Sequence, residues 1–349
     1  MDLTRMLGAV RKTVQAAWPG LHGHLENALT EATVAMLVAA HCQLSRLALV
    51  GVGRAKVPSR ERRWQRLVAN VRLARKRALN RWARWVLADA GELTLILDET
   101  PQHNHLRAMK LVRQIRGRGV PVLWHCYRPD ALPMSQDRLV LDLLRRAARA
   151  LPEGARVTLL ADRGLCWPAV LDFCAQHGWH YILRVQGQTR VRLPDGRQMR
   201  VDALTPRAGT KWCGEAQVFK KAGWRACNLV AYWPAGCEEP WLLITDLPAN
   251  RYRCRQYRKR MRIEEAFRDE KSHGFHWNDS RIRDPAHASR LLLIMALAMA
   301  LAIRLGLLLI KTGQRHRLER RHRRTYSVFQ LGLRHIQSLL YAHGPPLRE

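Results

Sequence analysis

Residues 291–310 read LLLIMALAMALAIRLGLLLI, twenty residues with a single charge, Arg304. A run of that length leaves a chain two options: span a bilayer, or build a fold deep enough to bury a long helix on most of its sides. Transfer energies alone do not exclude the bilayer. The twelve Leu and Ile of the run, at about −0.5 kcal/mol each, outweigh one Arg at about +3. Three features favour burial within protein. It is the only such run, both flanks are basic, and on a helical wheel Arg290, Arg304 and Lys311 share one face, as on a helix with one side toward solvent or phosphate. A core helix is therefore expected, and no membrane association. The chain does not open on a basic segment followed by an apolar run, so no signal peptide is expected.

Charge narrows the partners. Among 349 residues, 60 Lys and Arg face 28 Asp and Glu, a formal net charge of +32. With 47% hydrophobic residues and 12 Trp the chain has the apolar surface for real cores, which excludes disorder. Its length excludes a small disulfide scaffold and suggests about two domains. A chain this basic repels itself unless an anion covers it, and the ordinary anion is nucleic acid. The eight cysteines are scattered without a C-x-x-C pair, so neither a zinc ribbon nor a thioredoxin-like motif is expected. Reduced thiols in a cytoplasmic protein are.

The pattern changes along the chain. Residues 1–90 read as helical, with apolar residues at helical spacing through 28–50. Within 54–86 twelve Lys and Arg, among them Arg54, Arg62, Arg63, Arg66 and Arg75, stand against one acid, Glu61, with Trp64, Trp82 and Trp85 interleaved. This is either a solvated basic face or a helical domain that grips phosphates, and the total charge favours the second. Strand-length runs follow at 93–97, 105–115, 120–127, 157–161 and 181–185, with helices at 136–150 and 168–177. Strands first, then strands alternating with helices, imply an α/β domain with a mixed sheet over 91–312. Within it, short strands and turns at about 186–250 suggest a small antiparallel insertion. A helix is predicted over 253–272, ending near Gly274, and the apolar helix over 286–311. Residues 313–349 form a basic tail, with six Arg and one Glu in 315–324.

Acids are scarce, so their positions carry information. Asp98 follows the run Leu93–Leu97, and Asp162 follows Val157–Ala161. Carboxylates at the ends of central strands sit where α/β folds build sites, although either could instead cap a helix or fix a turn. On the predicted helix 253–272, Tyr257, Arg260, Glu264 and Lys271 fall within about 60° of one another, and Arg268 joins that face. Glu265, Asp269 and Glu270 point elsewhere. The alternative for this stripe is an ordinary ladder Arg260–Glu264–Arg268. Taken together, two Asp and one Glu offer hard oxygen ligands to Mg²⁺, and a pair of such ions about 4 Å apart supports phosphodiester displacement.

The run YRKRMRIEEAFRDEK, with Tyr257-x2-Arg260-x3-Glu264-x6-Lys271, resembles without gaps the Y-x2-R-x3-E-x6-K signature of cut-and-paste DDE insertion-sequence transposases, the IS-four family. LILDET around Asp98 and LLADRG around Asp162 are similar to that family's two Asp motifs, in the right order. The resemblance covers roughly residues 55–310. It implies an RNase H-like mixed sheet with flanking helices, a β-strand insertion before the last catalytic helix, and an all-helical N-terminal DNA-binding domain. It implies that Asp98, Asp162 and Glu264 are the catalytic and metal-binding residues, using two Mg²⁺ ions with Mn²⁺ as a replacement. It further implies that Tyr257, Arg260 and Lys271 handle the transposon-end backbone, with Arg268, on the same helix face, a further DNA-binding candidate, and that Trp241 stacks on a flipped base, the alternative being a strand-core Trp. The implied partners are double-stranded DNA, as inverted-repeat ends and as target, and a second copy when two ends are synapsed. Longer relatives carry a further C-terminal helical region for that pairing. The reading is a cytoplasmic, nucleoid-associated transposase of a mobile element. Its rival is a non-catalytic nucleic-acid-binding protein, decayed or repurposed.

Overall fold

The computed structural model describes residues 3–51, 55–74, 76–89, 91–320 and 322–341. Arg54, Arg75 and Arg321 of the basic stretches lie outside the described residues. The N-terminal region is helical: α1 (Leu3–Ala17), α2 (Gly23–Ala39), α3 (Leu44–Val50), α4 (Val57–Ala69), α5 (Val71–Ala74) and α6 (Lys76–Leu87). Its tryptophans belong to the core. Trp64 and Trp82 are buried, and Trp82 stacks between Trp18 and Trp85. Buried indole N–H groups need acceptors. Trp18 donates to the Ala78 carbonyl at 2.9 Å, and Trp82 to that of Pro121 at 2.9 Å, which anchors α6 on the sheet.

The sheet has ten strands. A hairpin meander, β1 (Glu92–Gln102), β2 (Leu106–Ile115) and β3 (Arg118–Tyr127), is followed by α7 (Gln136–Ala148), β4 (Arg156–Ala161), α8 (Pro168–Gln176) and β5 (His180–Arg184). Then come β6 (Arg190–Arg192), β7 (Gln198–Arg200), β8 (Lys211–Val218), β9 (Arg225–Tyr232) and β10 (Trp241–Thr245). The spatial order is β3-β2-β1-β4-β5-β10-β9-β8-β6-β7. β1, β4 and β5 pair in parallel, and their neighbours are antiparallel. This is an RNase H-like mixed sheet. The insertion does not form a sheet of its own: β10 pairs with β5 and the remaining inserted strands extend the central sheet. β3 lies at the edge, where Pro121 and a register shift opposite Leu111/Val112 cost no interior ladder bond.

Alternation along β1 and β4 divides the core. Leu93, Leu95, Leu97, Val157, Leu159 and Ala161 face the larger cluster, which holds most of the helices. Ile96 and Leu160 face the opposite side, against Tyr257 and Ile263. That smaller cluster lies under the remaining helical stretch, α9 (Tyr252–Tyr257), a 3₁₀ turn (Arg258–Arg260) and α10 (Met261–Glu270).

The apolar run forms α11 (Pro285–Lys311). Asp284 caps it by accepting from the His287 N–H at 2.7 Å, and Pro285 fits its first turn. The helix packs on β3, α2, α4 and α12 (Val328–Tyr341), so it is a core helix, as expected. One detail differs from the wheel. Arg304 and Lys311 are exposed, but Arg290 is buried and donates from Nε to the Val68 carbonyl of α4. A buried guanidinium needs acceptors, and the end of α4 supplies a free carbonyl. The tail also holds more structure than its charge suggests. α12 crosses α11 closely because Gly306 and Gly332 have no Cβ to meet the Val328 and Ala302 carbonyls. Arg315 and Glu319 pair before it.

Candidate active site

Strand parity brings two of the acids together. Asp98 lies two residues beyond Ile96, and Asp162 two beyond Leu160, so both continue the face that meets α9 and α10. The parallel register pairs Ile96 with Leu160 and Leu97 with Ala161, so the next residue on each chain is an aspartate. Asp162 is the first residue after β4 and makes no side-chain cap to the short turn that follows. Asp98, expected at a strand end, is within β1, which runs on to Gln102 opposite β2. Only its pairing with β4 has ended.

Glu264 enters from α10. The predicted single helix over 253–272 is helical from Tyr252 to Glu270 but tightens into the 3₁₀ turn at Arg258–Arg260. That turn leaves Arg260 buried, directly under the acids. Its Nη2 lies 3.0 Å from Asp162 Oδ2, and its Nη1 lies 3.1 Å from Glu264 Oε1 and 3.6 Å from Asp98 Oδ2. Three acids separated by up to 166 positions thus meet one guanidinium, and Asp98 and Glu264 are no farther apart than the two contacts at Nη1 allow.

The remaining residues of the stripe arrive by different routes. Tyr257 Oη donates toward Asp162 Oδ1 and the Ala161 carbonyl, both at 3.3 Å. Lys271 is not on the helix. It is the cap residue after Glu270, and its Nζ donates to Thr100 Oγ1 at 2.8 Å, two positions beyond Asp98 on the same strand face. Arg268 is exposed on α10, and among the described residues it makes no ion pair with Glu264, so the ladder stops at Arg260–Glu264. Glu265 and Asp269 pair with Arg118, and Glu270 with Lys110, pointing away as expected. Trp241 is half-buried in β10, edge-on to Tyr257 at 5.8 Å with Arg258 over its ring at 5.9 Å. It is therefore both a strand residue and a neighbour of the site.

The field at the site is divided. Burial pushes the Asp98 carboxyl up to about 6, helped by Asp162 and Glu264 and opposed by Arg260 and the Glu99 N–H. Burial also works to raise Asp162. Arg260, the Arg163 N–H and Arg184 outweigh it and hold Asp162 below its ordinary value. Burial alone would lower Arg260, but the surrounding carboxylates raise it. Lys271 is lowered by burial and by Lys110. Two aspartates side by side thus favour different protonation states. Around them, Arg163 and Arg184 sit 3.1 and 2.8 Å from Glu239. The sequence reading had not singled out Thr100, Arg163, Arg184 or Glu239. Thr100 was accessible through the alternation of β1, whereas the Glu239 pairs depend on the β5–β10 pairing.

The α4 arginines do not join this cluster. Arg62 and Arg66 are exposed, with Arg66 turned onto the Arg62 carbonyl. Arg63 is held by Glu31 at 2.6 Å and lies over the Trp64 ring. A second group, His41, His276 and Asp279, brings one ligand atom each within 4.8 Å. It does not suit an ion. His41 Nδ1 already accepts from the Gln43 N–H at 3.0 Å, which leaves the proton on Nε2, the atom facing Asp279. Burial, Arg46 and His276 lower His41 to about 4 against the pull of Asp279. The group is a junction between the N-terminal helices and the segment after α10. The trio Asp98, Asp162 and Glu264 offers the donor set that suits a hard divalent ion: three partly exposed carboxylates brought together from distant parts of the chain.

Residues 134–301 match the family model described as the transposase DDE domain. The match spans just under half of the chain, includes Asp162 and the Tyr257–Lys271 segment, and begins after Asp98. It supports a transposase function, and DDE transposases use divalent metal ions. No curated protein matches the chain.

Proposed function

We propose that this chain is a cut-and-paste DNA transposase of the IS-four type, in which Asp98, Asp162 and Glu264 hold two Mg²⁺ ions, replaceable by Mn²⁺, at the end of an insertion sequence. The observation that carries the reading is the convergence of three sequence-distant carboxylates on Arg260. Ions held by these three carboxylates would supply activation of an attacking oxygen and stabilisation of the leaving one in phosphodiester displacement.

The chain's own residues do the rest. Lys271 and Arg260 lie where the backbone phosphates of a cleaved end approach the carboxylates, and Tyr257 orients Asp162. Trp241, under Arg258, offers an aromatic face to a base turned out of the duplex. Arg62 and Arg66 on α4 supply exposed cations for duplex phosphates. The reaction hydrolyses the phosphodiester at the inverted-repeat end. The freed 3′-OH attacks the opposite strand, closing a hairpin on the element and releasing the flanking DNA; a second water hydrolyses the hairpin and restores the 3′-OH, which then attacks a target phosphodiester, displacing the target's own 3′-OH, with two copies of the chain pairing the two ends. Such a protein acts on the nucleoid, in the cytoplasm.

Excision of a repeat-flanked cassette tests this. Asp98→Asn, Asp162→Asn and Glu264→Gln should each abolish it while leaving DNA binding in place. Excision that persists in any of the three removes that residue from the site. Metal-independent binding without nicking in the wild type would assign the chain to non-catalytic nucleic-acid binding.

A further inference from the structure

Arg260 differs from the other cations at the site in what neutralises it. Arg163 and Arg184 share a counter-ion of their own, Glu239, at 3.1 and 2.8 Å. The counter-ions of Arg260 are the three carboxylates themselves, and its side chain is only 10% exposed. We propose that Arg260 is an internal counter-cation that holds Asp98, Asp162 and Glu264 together until a DNA phosphate draws its guanidinium away, so that DNA binding and divalent-ion binding at this site strengthen each other. The inference rests on the reading of the trio as ion ligands and adds an order of events to it.

Two physical arguments support the exchange. The first is competition. Nη1 lies between Asp98 Oδ2 and Glu264 Oε1, and Nη2 on Asp162 Oδ2. A hard divalent ion takes carboxylate oxygens at about 2 Å. An ion bound to those oxygens sits within a few ångströms of the guanidinium, and the two cations repel at that range. The second is equivalence of partners. A planar guanidinium fork suits phosphate as well as carboxylate. Transfer of Arg260 from the trio to a backbone phosphate therefore replaces one set of charge-assisted hydrogen bonds with another and leaves no buried charge unpaired. An ion that gains what the arginine gives up makes the two binding events reciprocal by linkage.

The test is Mn²⁺ binding to the full-length protein at pH 8, read as loss of the free-ion EPR signal, with and without a double-stranded oligonucleotide. The Asp98→Asn/Asp162→Asn variant, with and without the same duplex, gives the background. In the wild type the duplex should tighten Mn²⁺ binding by about fivefold or more, the ordinary lower range for linked sites. Without DNA, Arg260→Gln should bind Mn²⁺ more tightly than the wild type by a similar factor, and the duplex should add little. If thermal melting shows that Arg260→Gln is unfolded, Arg260→Lys carries the test. Its compact ammonium cannot fork across three carboxylates, so its Mn²⁺ affinity should also exceed the wild type's. Unchanged affinity in the folded Arg260 variant, with the background variant still binding poorly, overturns the role of Arg260 and leaves the ion site standing. Equal Mn²⁺ binding by the background variant and the wild type overturns both.

Discussion

Lys110 Nζ and Glu270 Oε2 meet at 2.5 Å with both side chains about 1% exposed. Lys110 is on β2 and pairs in register with Asp98. Glu270 ends α10, one residue before Lys271. The Lys110 ammonium also lies over the rings of Trp277, at 4.5 Å, and Phe267, at 5.5 Å. This buried pair ties β2, the strand beside Asp98, to the helix that carries Glu264.

Breaking that tie from one side strands a charge in the core. Lys110→Met or Glu270→Gln should each lower stability by about 3–5 kcal/mol, whereas Lys110→Met with Glu270→Leu should recover most of the loss. Urea unfolding followed by tryptophan fluorescence measures all three. A double variant as unstable as the singles would show that the pair is needed as an ion pair.

The Asp98 carboxyl, raised by burial to about 6, has to lose its proton before it can bind an ion. Nicking of end-bearing DNA at fixed Mg²⁺ should therefore rise with pH through about 6 and level off above it. Because ion binding expels that proton, the midpoint should move to lower pH as Mg²⁺ is increased. A midpoint that ignores Mg²⁺ would detach the titration from the ion site.

Asp269 is raised by burial to about 7, with Glu265 and Glu270 adding to the shift and Arg118 opposing it. A group whose folded value lies above its unfolded one stabilises the fold below the unfolded value, and this contribution is lost as pH rises through the folded value. Stability should therefore fall between about pH 4 and 7. Asp269→Asn should flatten that slope and be the more stable form at pH 8, by on the order of 2–4 kcal/mol. Denaturation curves at pH 5 and 8 compare the two proteins.

DNA affinity should fall steeply with salt, because each neutralised phosphate releases counterions. Removing Arg62 or Arg66, both exposed on α4, should weaken binding to all sequences alike and reduce the log–log salt slope by about 1 each. Arg63→Ala should lower thermal stability and change the slope less, because Arg63 is engaged with Glu31 and Trp64. Fluorescence anisotropy over a salt series separates these outcomes.

Much of the site was legible without coordinates because it follows from short-range periodicities. Asp98 and Asp162 each follow a strand-length apolar run in the sequence, and one helical turn separates Arg260 from Glu264. The basic, tryptophan-bearing N-terminal stretch and the apolar run from 291 likewise declare helices by composition and spacing.

Other features depend on what packs against what. Which strands are neighbours, and so whether the two aspartates meet, is decided by the parallel β1–β4 register. The inserted strands extend the central sheet because the edge of β5 is free to pair with β10. Arg290 turns inward because α4 ends beside it with a carbonyl to spare. Lys271 reaches the site from beyond the end of its helix, through Thr100. α12 folds onto α11 because two glycines let the backbones approach. Local pattern determines which face of an element each side chain occupies. Only the fold determines which faces meet, because the energy of burying a charge or closing a sheet belongs to both partners and is written in neither segment alone.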